Sequence, residues 1–419
     1  MKRQKLLGYI GALLIVPAIA TIVCADTSDV KGSSVVVVKK SGLHCKDDSN
    51  CFNRYHPAIK PVVDAKPGQM IVFETRDALD SDLNFQSIPD DVTAVDLNLV
   101  HPMTGPVNIE GAKRGDVLAV TLVDIEPDDY GYTVIVPGFG FLRDKFTKPY
   151  VANWRLTRLE ATSEQIPAVA IPFNGFMGSV GVLPGGPEIE KILLREAQLA
   201  EAGGVVLTPQ PMGALPADVC GPEGTFKGKC LRTIPPRENG GNMDVKQMQV
   251  GTTLLLPVFI DGAGLFVGDV HYAQGDGEVS GTAIEMGAKV TVVTEVLKGM
   301  GAFVKVPHFK GGAQLKKLAP TSFYATTGMP LKPAGEIPIY TTYIDGEKIG
   351  PLTNLSEDLT IAARNALLEI IDFMVKEKGF TPEQAYIVSS VAVDLRIGQL
   401  VDVPNYIVSA ILPLDIFKE

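Results

Sequence analysis

Short apolar runs separated by Gly and Pro dominate the chain from about residue 61 onward. Three of them start at a turn glycine and continue as an apolar or alternating segment: AKPGQMIVFETRD, AKRGDVLAVTLVDIEP and MQVGTTLLLPVFI. This pattern is typical of short strands joined by tight turns. No fixed period links the three runs, so they predict strands of a barrel or sandwich and not a repeat architecture.

Helical periodicity occurs in three later segments. GPEIEKILLREAQLAEAGG has apolar residues at helical spacing and ends at Gly203. NLSEDLTIAARNALLEIIDFMVKEKGF predicts a helix with Ser356 as its N-cap and an end near Gly379. TPEQAYIVSSVAVDLRIGQLVD predicts another, with Thr381 as its cap and Pro382 at the first helical position. The predicted fold class is α+β, β-dominated, with sandwich and barrel-like β units and a C-terminal helical hairpin.

The first 25 residues differ in character from the rest of the chain. Three cations precede an apolar run that carries no charge until Asp26, and small residues surround the end of this run at Ala25. The pattern predicts a secretory signal peptide at residues 1–25, cleaved after Ala25, and therefore an exported, periplasmic or secreted protein. Because Leu6 to Ala25 is about long enough to cross a bilayer, an uncleaved membrane anchor is the alternative.

Cysteine usage agrees with export. Once the leader is removed, four cysteines remain, and their spacing favours the disulfides Cys45–Cys51 and Cys220–Cys230. The segment around the first pair is polar and is expected to be irregular. The predicted organisation after the leader is an N-terminal extension with a disulfide loop at 26–60, a β-rich body at 61–345 and a C-terminal helical region at 346–419.

The chain is acidic, with 48 Asp and Glu against 38 Lys and Arg and a formal net charge of −10. An acidic surface argues against nucleic acid and anionic membranes as partners. We therefore expect no nucleic-acid partner and no stable membrane association after leader cleavage.

The stretch GDVHYAQGDGE, residues 268–278, holds three carboxylates and one of only five histidines. It predicts a β-hairpin in which Gly275-Asp276-Gly277 forms a type I′ turn, and Asp276 is equally open to a turn role and a ligand role. Asp269 and His271 are two residues apart on one strand and should point to one face. Among apolar neighbours, this pair favours a metal site over a purely structural role.

Glu278 and Glu285 follow this pair in sequence. They are seven residues apart, so on one regular strand they would face opposite sides. They can join one site only through a bulge, or if Glu278 still belongs to the turn. Glu285 could equally be a solvated residue at a sheet edge.

A second candidate segment is PPRENGGNMDVKQ. Its glycine pair, Gly240-Gly241, lets the main chain approach a small ligand and can direct N–H groups at a developing oxyanion. An ordinary surface loop is the alternative. His56 and His101 each precede a proline, and each is open to a structural role or to a ligand or acid/base role.

The sequence contains no GxSxG elbow, and the cysteines are expected to form disulfides. An enzyme on this scaffold would therefore have to activate water, by a metal ion, a carboxylate base, or both.

Four segments, in order and spacing, resemble the acetamidase/formamidase family: FETRDALDSDL, VHPMTGPVNIEGAKRGDVLAVTLVDIEP, PRENGGNMDVKQMQVGTTLLLPVF and GLFVGDVHYAQGDGEVSGTAIE. The resemblance runs from about residue 54 to the C-terminal helices. It implies a β-rich fold, hydrolysis of a short aliphatic amide to a carboxylate and ammonia, a bound divalent metal, and a homo-oligomer.

The resemblance also implies roles for individual residues. The metal would be Zn²⁺, with Ca²⁺ or Mn²⁺ as alternatives, and Glu278 would be the general base. The full set of expected site residues is Asp244, Asp269 and His271 for the metal, Glu278, Glu285 and His56 for catalysis, and Gly240, Gly241, Asn242 and His101 for the substrate. The alternative function is an exported binding or structural protein that keeps the fold with lost or altered catalysis.

Overall fold

The computed structural model describes residues 35–418, apart from residue 205 and residues 339–343. The predicted signal peptide lies outside the described residues. Among the helices that are described, none combines the length and the apolar character needed to span a bilayer.

Strands make up most of the regular structure. In the first half of the chain they are β1 Val36–Val38, β2 Cys51–Phe52, β3 Arg54–Tyr55, β4 Val63–Ala65, β5 Met70–Thr75, β6 Met103–Ile109, β7 Val117–Ile135, β8 Tyr150–Leu156, β9 Glu160–Ser163, β10 Ile171–Pro172 and β11 Phe176–Val182. In the second half they are β12 Leu231–Arg232, β13 Gly240–Asn242, β14 Thr253–Pro257, β15 Ala263–His271, β16 Glu285–Leu297, β17 His308–Lys310, β18 Phe323–Gly328, β19 Leu331–Lys332, β20 Asn354–Leu355, β21 Asp394–Gln399 and β22 Ile407–Pro413.

Helices are fewer and lie mainly in the second half. They are α1 Pro89–Val92, α2 Gly186–Glu201, α3 Ala217–Cys220, α4 Gln314–Lys317, α5 Gly346–Ile349, α6 Leu359–Lys378 and α7 Pro382–Ala392. Short 3₁₀ turns occur at Cys45–Asp47 and Met300–Ala302. This composition confirms the α+β, β-dominated fold class.

One large sheet organises the molecule. Its strands run in the order β10-β9-β8-β7-β16-β15-β11-β13, and the other strands of this sheet, among them β5, β6 and β14, pair along its sides. The three turn-to-strand runs identified in the sequence form β5, β7 and β14, as predicted. Strand β15 pairs with β6, β11 and β16, and every one of its residues is buried. A polar group on β15 is therefore shielded from bulk solvent.

The N-terminal extension is more regular than expected. Strand β1 runs parallel to β5, β2 pairs with β6, and β3 pairs with β12, so the described part of the extension is built into the fold. Most of the described residues between 35 and 60 are irregular, as expected, and the short strands were not predicted because they depend on distant partners and not on local periodicity. Both predicted disulfides, Cys45–Cys51 and Cys220–Cys230, are formed.

The C-terminal helical hairpin is confirmed, with two corrections. The N-cap of α6 is Asp358 and not Ser356, because the Asp358 side chain accepts the Thr360 N–H. Its end at Gly379, in the left-handed conformation, is as predicted. Helix α7 begins at the Thr381 capping box but ends at Ala392. The residues after it form β21, which pairs with β22, so the quoted segment is half helix and half strand.

The 268–278 stretch is not a tight hairpin. Strand β15 ends at His271 and β16 starts at Glu285, so residues 272–284 form a long connection between the two strands. A turn does occur at 275–278, where the Glu278 N–H donates to the Gly275 carbonyl. Of its two central residues only Gly277 has a positive φ, 118°, whereas a type I′ turn needs a positive φ at both. The predicted turn type was therefore wrong.

Candidate active site

Asp269, His271 and Glu285 meet in the centre of the large sheet. His271 and Glu285 are direct partners across β15 and β16, and Asp269 lies two residues earlier on β15. His271 Nε2 is 3.3 Å from Asp269 Oδ1 and 3.2 Å from Glu285 Oε2. All three residues are at most 2% exposed. The expectation that Asp269 and His271 share a face is confirmed.

Asp244 and Glu278 approach the same histidine from two loops. Asp244 follows β13, and Glu278 lies at the end of the 275–278 turn. One ligand atom of each lies within 4.8 Å of His271 and of the other acid. Because Glu278 belongs to the turn and not to a strand, it can join the site together with Glu285. This resolves the problem of their odd separation in sequence.

Three of these acids have an unusual backbone conformation. The φ angles of Asp244, Asp269 and Glu278 are 52°, 50° and 43°. Residues with a side chain rarely adopt positive φ, and such strain, on the order of 1–3 kcal/mol per residue, is found mainly at functional sites. Its occurrence at three neighbouring carboxylates marks this cluster as a site that the surrounding fold holds in place.

Gln274 fixes the orientation of the His271 ring. Its Oε1 lies 2.9 Å from His271 Nδ1, and its Nε2 donates to the Asp244 carbonyl at 2.8 Å. Because an amide oxygen only accepts, Nδ1 must carry the proton, which leaves Nε2 to face the carboxylates. Phe176 packs edge-on against the same ring, with ring centroids 5.0 Å apart.

A close approach of β11 also shapes the site. A Cβ on Gly178 would lie 2.5 Å from the Asp269 carbonyl oxygen and 2.7 Å from His271 Nε2. Beside it, the Ser179 hydroxyl lies 2.9 Å from Asn242 Oδ1 and 3.2 Å from Asp269 Oδ2. The Asn242 amide in turn donates to Asp244 Oδ2. Strand β11 therefore links Asp269 on β15 to Asn242 and Asp244 at and after the end of β13.

The acids open into a cavity of about 250 Å³. Asp244, Asp269, Glu278 and Glu285 line one part of it, together with Asn242 and His101. His101 Nε2 is 3.9 Å from Asp269 Oδ2, and its Nδ1 is buried without a hydrogen-bond partner. The remaining walls are mostly apolar.

Burial and mutual repulsion shift the pKa values of these acids. Burial raises the pKa of Glu278 to about 8. The charges of Glu285 and Asp269 add to this shift, and the charge of His271 opposes it. Burial and Asp269, again against His271, raise the pKa of Glu285 to about 8. Burial and the charge of Glu278 raise the pKa of Asp244 well above its usual range. Three carboxyls of the cluster therefore favour their protonated forms when no cation is present.

The other two groups shift in the opposite sense. Burial opposes the charged form of His271, but Glu285 and Asp269 outweigh it and raise the pKa of the imidazole. Burial likewise opposes ionisation of Asp269, yet the neighbouring histidines hold its pKa below the usual range. The Asp269–His271 pair is thus the most strongly charged part of the cluster.

The donor set fits a divalent cation. His271 Nε2 groups with Asp244 and Glu278, and also with Asp269 and Glu285. The contacts of 3.2 and 3.3 Å are near the ~3.4 Å expected between two ligands on a tetrahedral ion with bonds of ~2.1 Å. Asp244 Oδ1 is buried without a hydrogen-bond partner, as an atom reserved for a cation would be.

Several predicted residues lie elsewhere. His56 stacks on Phe226, with ring centroids 4.1 Å apart, and its Nδ1 accepts the Ala58 N–H, so the structure does not bring His56 to the acids. Gly240 and Gly241 pair with β11, and neither lines the cavity. Glycine is required at these positions because their φ angles are 87° and 94°. A Cβ added to Gly240 would also clash with the Val180 carbonyl oxygen, and one added to Gly241 would press on the Tyr55 hydroxyl.

Sequence reasoning missed Gln274, Ser179 and Gly178. Gln274 could have been found, because it lies in the quoted stretch three residues after His271, where a partner for the second ring nitrogen is expected. Ser179 and Gly178 lie in GFMGSVGV and carry no charge or motif, and only the pairing of β11 with β15 reveals their position.

Comparison with known proteins gives a consistent result. Residues 38–419 match the Acetamidase/Formamidase family. The chain is 32% identical over 363 residues to an acetamidase of Mycolicibacterium smegmatis, covering 80% of this chain and 84% of that protein. It is 29% identical over 400 residues to a formamidase of Methylophilus methylotrophus, covering 89% and 91%. The solved structure of a gamma lactamase from Delftia acidovorans has a TM-score of 0.81 and 30% identity, covering 92% and 94%.

Proposed function

The chain belongs to the acetamidase/formamidase family and is an amide-hydrolysing hydrolase, and on this premise we propose that the cluster around His271 is its active site. The observation that carries the proposal is the convergence of four carboxylates on one histidine at the end of a cavity. Hydrolysis then requires a water molecule, a base that takes its proton, and an acid that protonates the leaving nitrogen.

His271, which belongs to both groups of donors, is the first proposed ligand of a divalent cation, with Asp244 from one group and Asp269 from the other. Zn²⁺ is the first choice and Ca²⁺ or Mn²⁺ the alternatives. Imidazole with carboxylates suits Zn²⁺, and a larger share of carboxylates suits the harder ions. When bound, such a cation supplies Lewis acidity and lowers the pKa of water toward ~7. Gln274 holds the His271 ring in the required tautomer.

Glu278 is the proposed proton carrier. It lines the cavity, and a pKa raised to about 8 lets it take a proton and return it near neutral pH. The water oxygen attacks the amide carbon while its proton passes to Glu278. The same proton then moves to the amide nitrogen as the C–N bond breaks, and ammonia and a carboxylic acid are formed. Glu285, beside His271 Nε2, keeps the ring in place.

His101 and Asn242 are the proposed substrate contacts. Both line the cavity beside the acids, and the His101 Nδ1 that lacks a partner is free to bond an amide group. Each residue holds or orients the amide and transfers no proton in this scheme.

Ammonia release tests the proposal. The purified protein is expected to release ammonia from formamide, acetamide or propionamide, to lose this activity with a chelator, and to regain it with Zn²⁺. Glu278→Gln should lower kcat by at least about 100-fold. Glu295→Gln, an exposed acid on β16, is the matched control and should leave kcat unchanged. A metal-loaded protein that hydrolyses no amide would instead support the alternative of a binding protein with lost catalysis.

A second candidate reaction is the opening of a cyclic amide. The gamma lactamase of Delftia acidovorans is similar over 92% of the chain, and the cavity of about 250 Å³ accepts a small ring. Water would add to the ring carbonyl, and the C–N bond would break to give an amino acid without free ammonia. Assay of 4-aminobutanoate formed from 2-pyrrolidinone separates this reaction from linear amide hydrolysis.

Export and assembly are further proposals. The leader pattern of residues 1–25 and the two disulfides support an exported enzyme with no stable membrane association. Mass analysis of the mature N-terminus should place it at Asp26. We also propose a homo-oligomer, dimer or higher, which sedimentation of the purified protein would test.

A further inference from the structure

The cavity beside the acids has an apolar character that a one- or two-carbon amide does not use. Its inner walls include Leu79, Val100 and Val134, which are at most 6% exposed. At its rim lie Leu97 and Phe139, which are 44% and 45% exposed. Large apolar side chains at a cavity mouth favour an apolar ligand, because they offer a substrate contact area and no hydrogen bonds.

The size of the cavity points the same way. An apolar cavity of about 150 Å³ is enough to bind benzene, whereas this one measures about 250 Å³. Formamide and acetamide would fill only the part beside Asp244, Asp269 and Glu278. The space along the apolar walls would then remain empty. Covering this apolar surface would contribute nothing to the binding of formamide or acetamide.

We propose that the preferred substrate is a primary amide whose acyl group is an apolar chain or ring of about five to ten carbon atoms. This rests on the proposed function, since the amide group takes its place at the acids. The acyl group lies along the apolar walls, with Leu97 and Phe139 over its far end. Each added methylene should then strengthen binding by about fourfold until the cavity is full.

Binding to an inactive enzyme tests the proposal independently of turnover. Calorimetry with the Glu278→Gln protein would compare acetamide, butyramide, hexanamide and cyclohexanecarboxamide. Hexanamide is expected to bind at least about 50-fold more tightly than acetamide. Equal or weaker binding of hexanamide would overturn the proposal. In the wild-type enzyme, kcat/KM for ammonia release should rise along the same series.

A filling variant locates the acyl group. Val136 lines the cavity just after β7 and is only partly buried, so Val136→Phe should fold while it narrows the apolar end. It should weaken hexanamide binding by at least about tenfold and change acetamide binding by less than about twofold. Val123→Phe is the matched control, because Val123 lies on β7, is 41% exposed, and is not among the cavity residues. Equal effects of the two variants on hexanamide would overturn the placement.

The two proposals fail in different ways. Ammonia from acetamide without any gain from longer acyl chains would leave the amidase function standing and remove the preference for apolar amides. Tight hexanamide binding without ammonia from any amide would support the apolar site and contradict the catalytic proposal.

Discussion

Lys246 and Asp394 form a buried ion pair that joins the loop of Asp244 to the first residue of β21. The same Asp394 carboxylate accepts the Asp276 N–H at 3.1 Å, and Asp276 lies in the turn that carries Glu278. The Asp394 side chain thus connects both loops that bring acids to His271. Asp276, which the sequence left open to a turn role or a ligand role, is therefore a structural link.

We expect Asp394→Asn to loosen both loops and to destabilise the fold. The substitution removes the close charge partner of the buried Lys246 ammonium and leaves only Asp276, 3.9 Å away, which should cost up to about 3–5 kcal/mol in the free energy of unfolding. Misplacement of Glu278 should also lower kcat/KM by about 10- to 100-fold. Denaturant unfolding and amide hydrolysis measure the two effects.

The control for this prediction is Lys113→Met. Lys113 and Asp261 form an exposed pair at 2.8 Å, so its loss should cost less than about 1 kcal/mol and spare activity. Similar losses in both variants would contradict the role assigned to Asp394.

Gly178→Ala should disturb the site through steric contact alone. The added methyl would meet the Asp269 carbonyl and the His271 ring at 2.5–2.7 Å, and such overpacking costs about 1–3 kcal/mol. We expect lower thermal stability and a fall in kcat. Gly186→Ala serves as the control, since nothing lies within 4 Å of a Cβ there and the residue starts α2. A fully active, stable Gly178→Ala enzyme would rule out the close packing of β11 on His271.

Gln274→Leu is expected to weaken metal binding by about 10- to 100-fold. The substitution removes the acceptor for His271 Nδ1, so that the ring is no longer held with Nε2 toward the acids. Competition with a chromophoric chelator measures the Zn²⁺ affinity directly. Gln399→Leu is the control, because Gln399 lies at the end of β21 and donates to the Asn405 carbonyl; this variant should leave the affinity unchanged. Unaltered Zn²⁺ affinity in the Gln274 variant would show that this hydrogen bond does not orient the ring.

Metal binding should depend on pH and release protons. The pKa values of Glu278 and Glu285 lie at about 8, and those of Asp244 and His271 are also raised. Glu278 and Glu285 hold protons below about pH 8, and the raised pKa values of the ligands Asp244 and His271 mean that they also hold protons that a cation must displace. The affinity should therefore fall by about tenfold per pH unit for each proton released. Above about pH 8 the contributions of Glu278 and Glu285 should level off.

Calorimetry in two buffers with different ionisation enthalpies counts the protons released on metal binding. We expect more than one proton at pH 7. Binding without proton release, or an affinity independent of pH between 6 and 8, would contradict a cation held by these carboxylates.

Local patterns predicted the parts of the fold that depend on neighbours in sequence. The alternation of AKRGDVLAVTLVDIEP predicted β7, and the Thr381-Pro382 signal predicted the start of α7. The shared face of Asp269 and His271 followed from the strand period alone. These predictions needed no knowledge of distant contacts.

Contacts between distant segments could not be predicted in the same way. His56 and His101 carried the same His-Pro signal, yet only His101 reaches the cavity, because β6 pairs with β15 while the loop of His56 packs on Phe226. Asp394 meets Lys246 across 148 positions. The residues next to His101, His56 or Asp394 in sequence do not indicate which distant segment each of them will contact.

The left-handed backbone at Asp244, Asp269 and Glu278 means that acids proposed for activity lower the stability of the folded protein. Glycine adopts such φ angles without steric cost. Glycine at any of these three positions should therefore give a more stable fold than the acid does. Selection of variants for thermal stability alone should therefore enrich glycine at these three positions. The selected proteins should be more thermally stable and should have lost amide hydrolysis. Persistence of the acids under such selection would mean that the folded state itself depends on them.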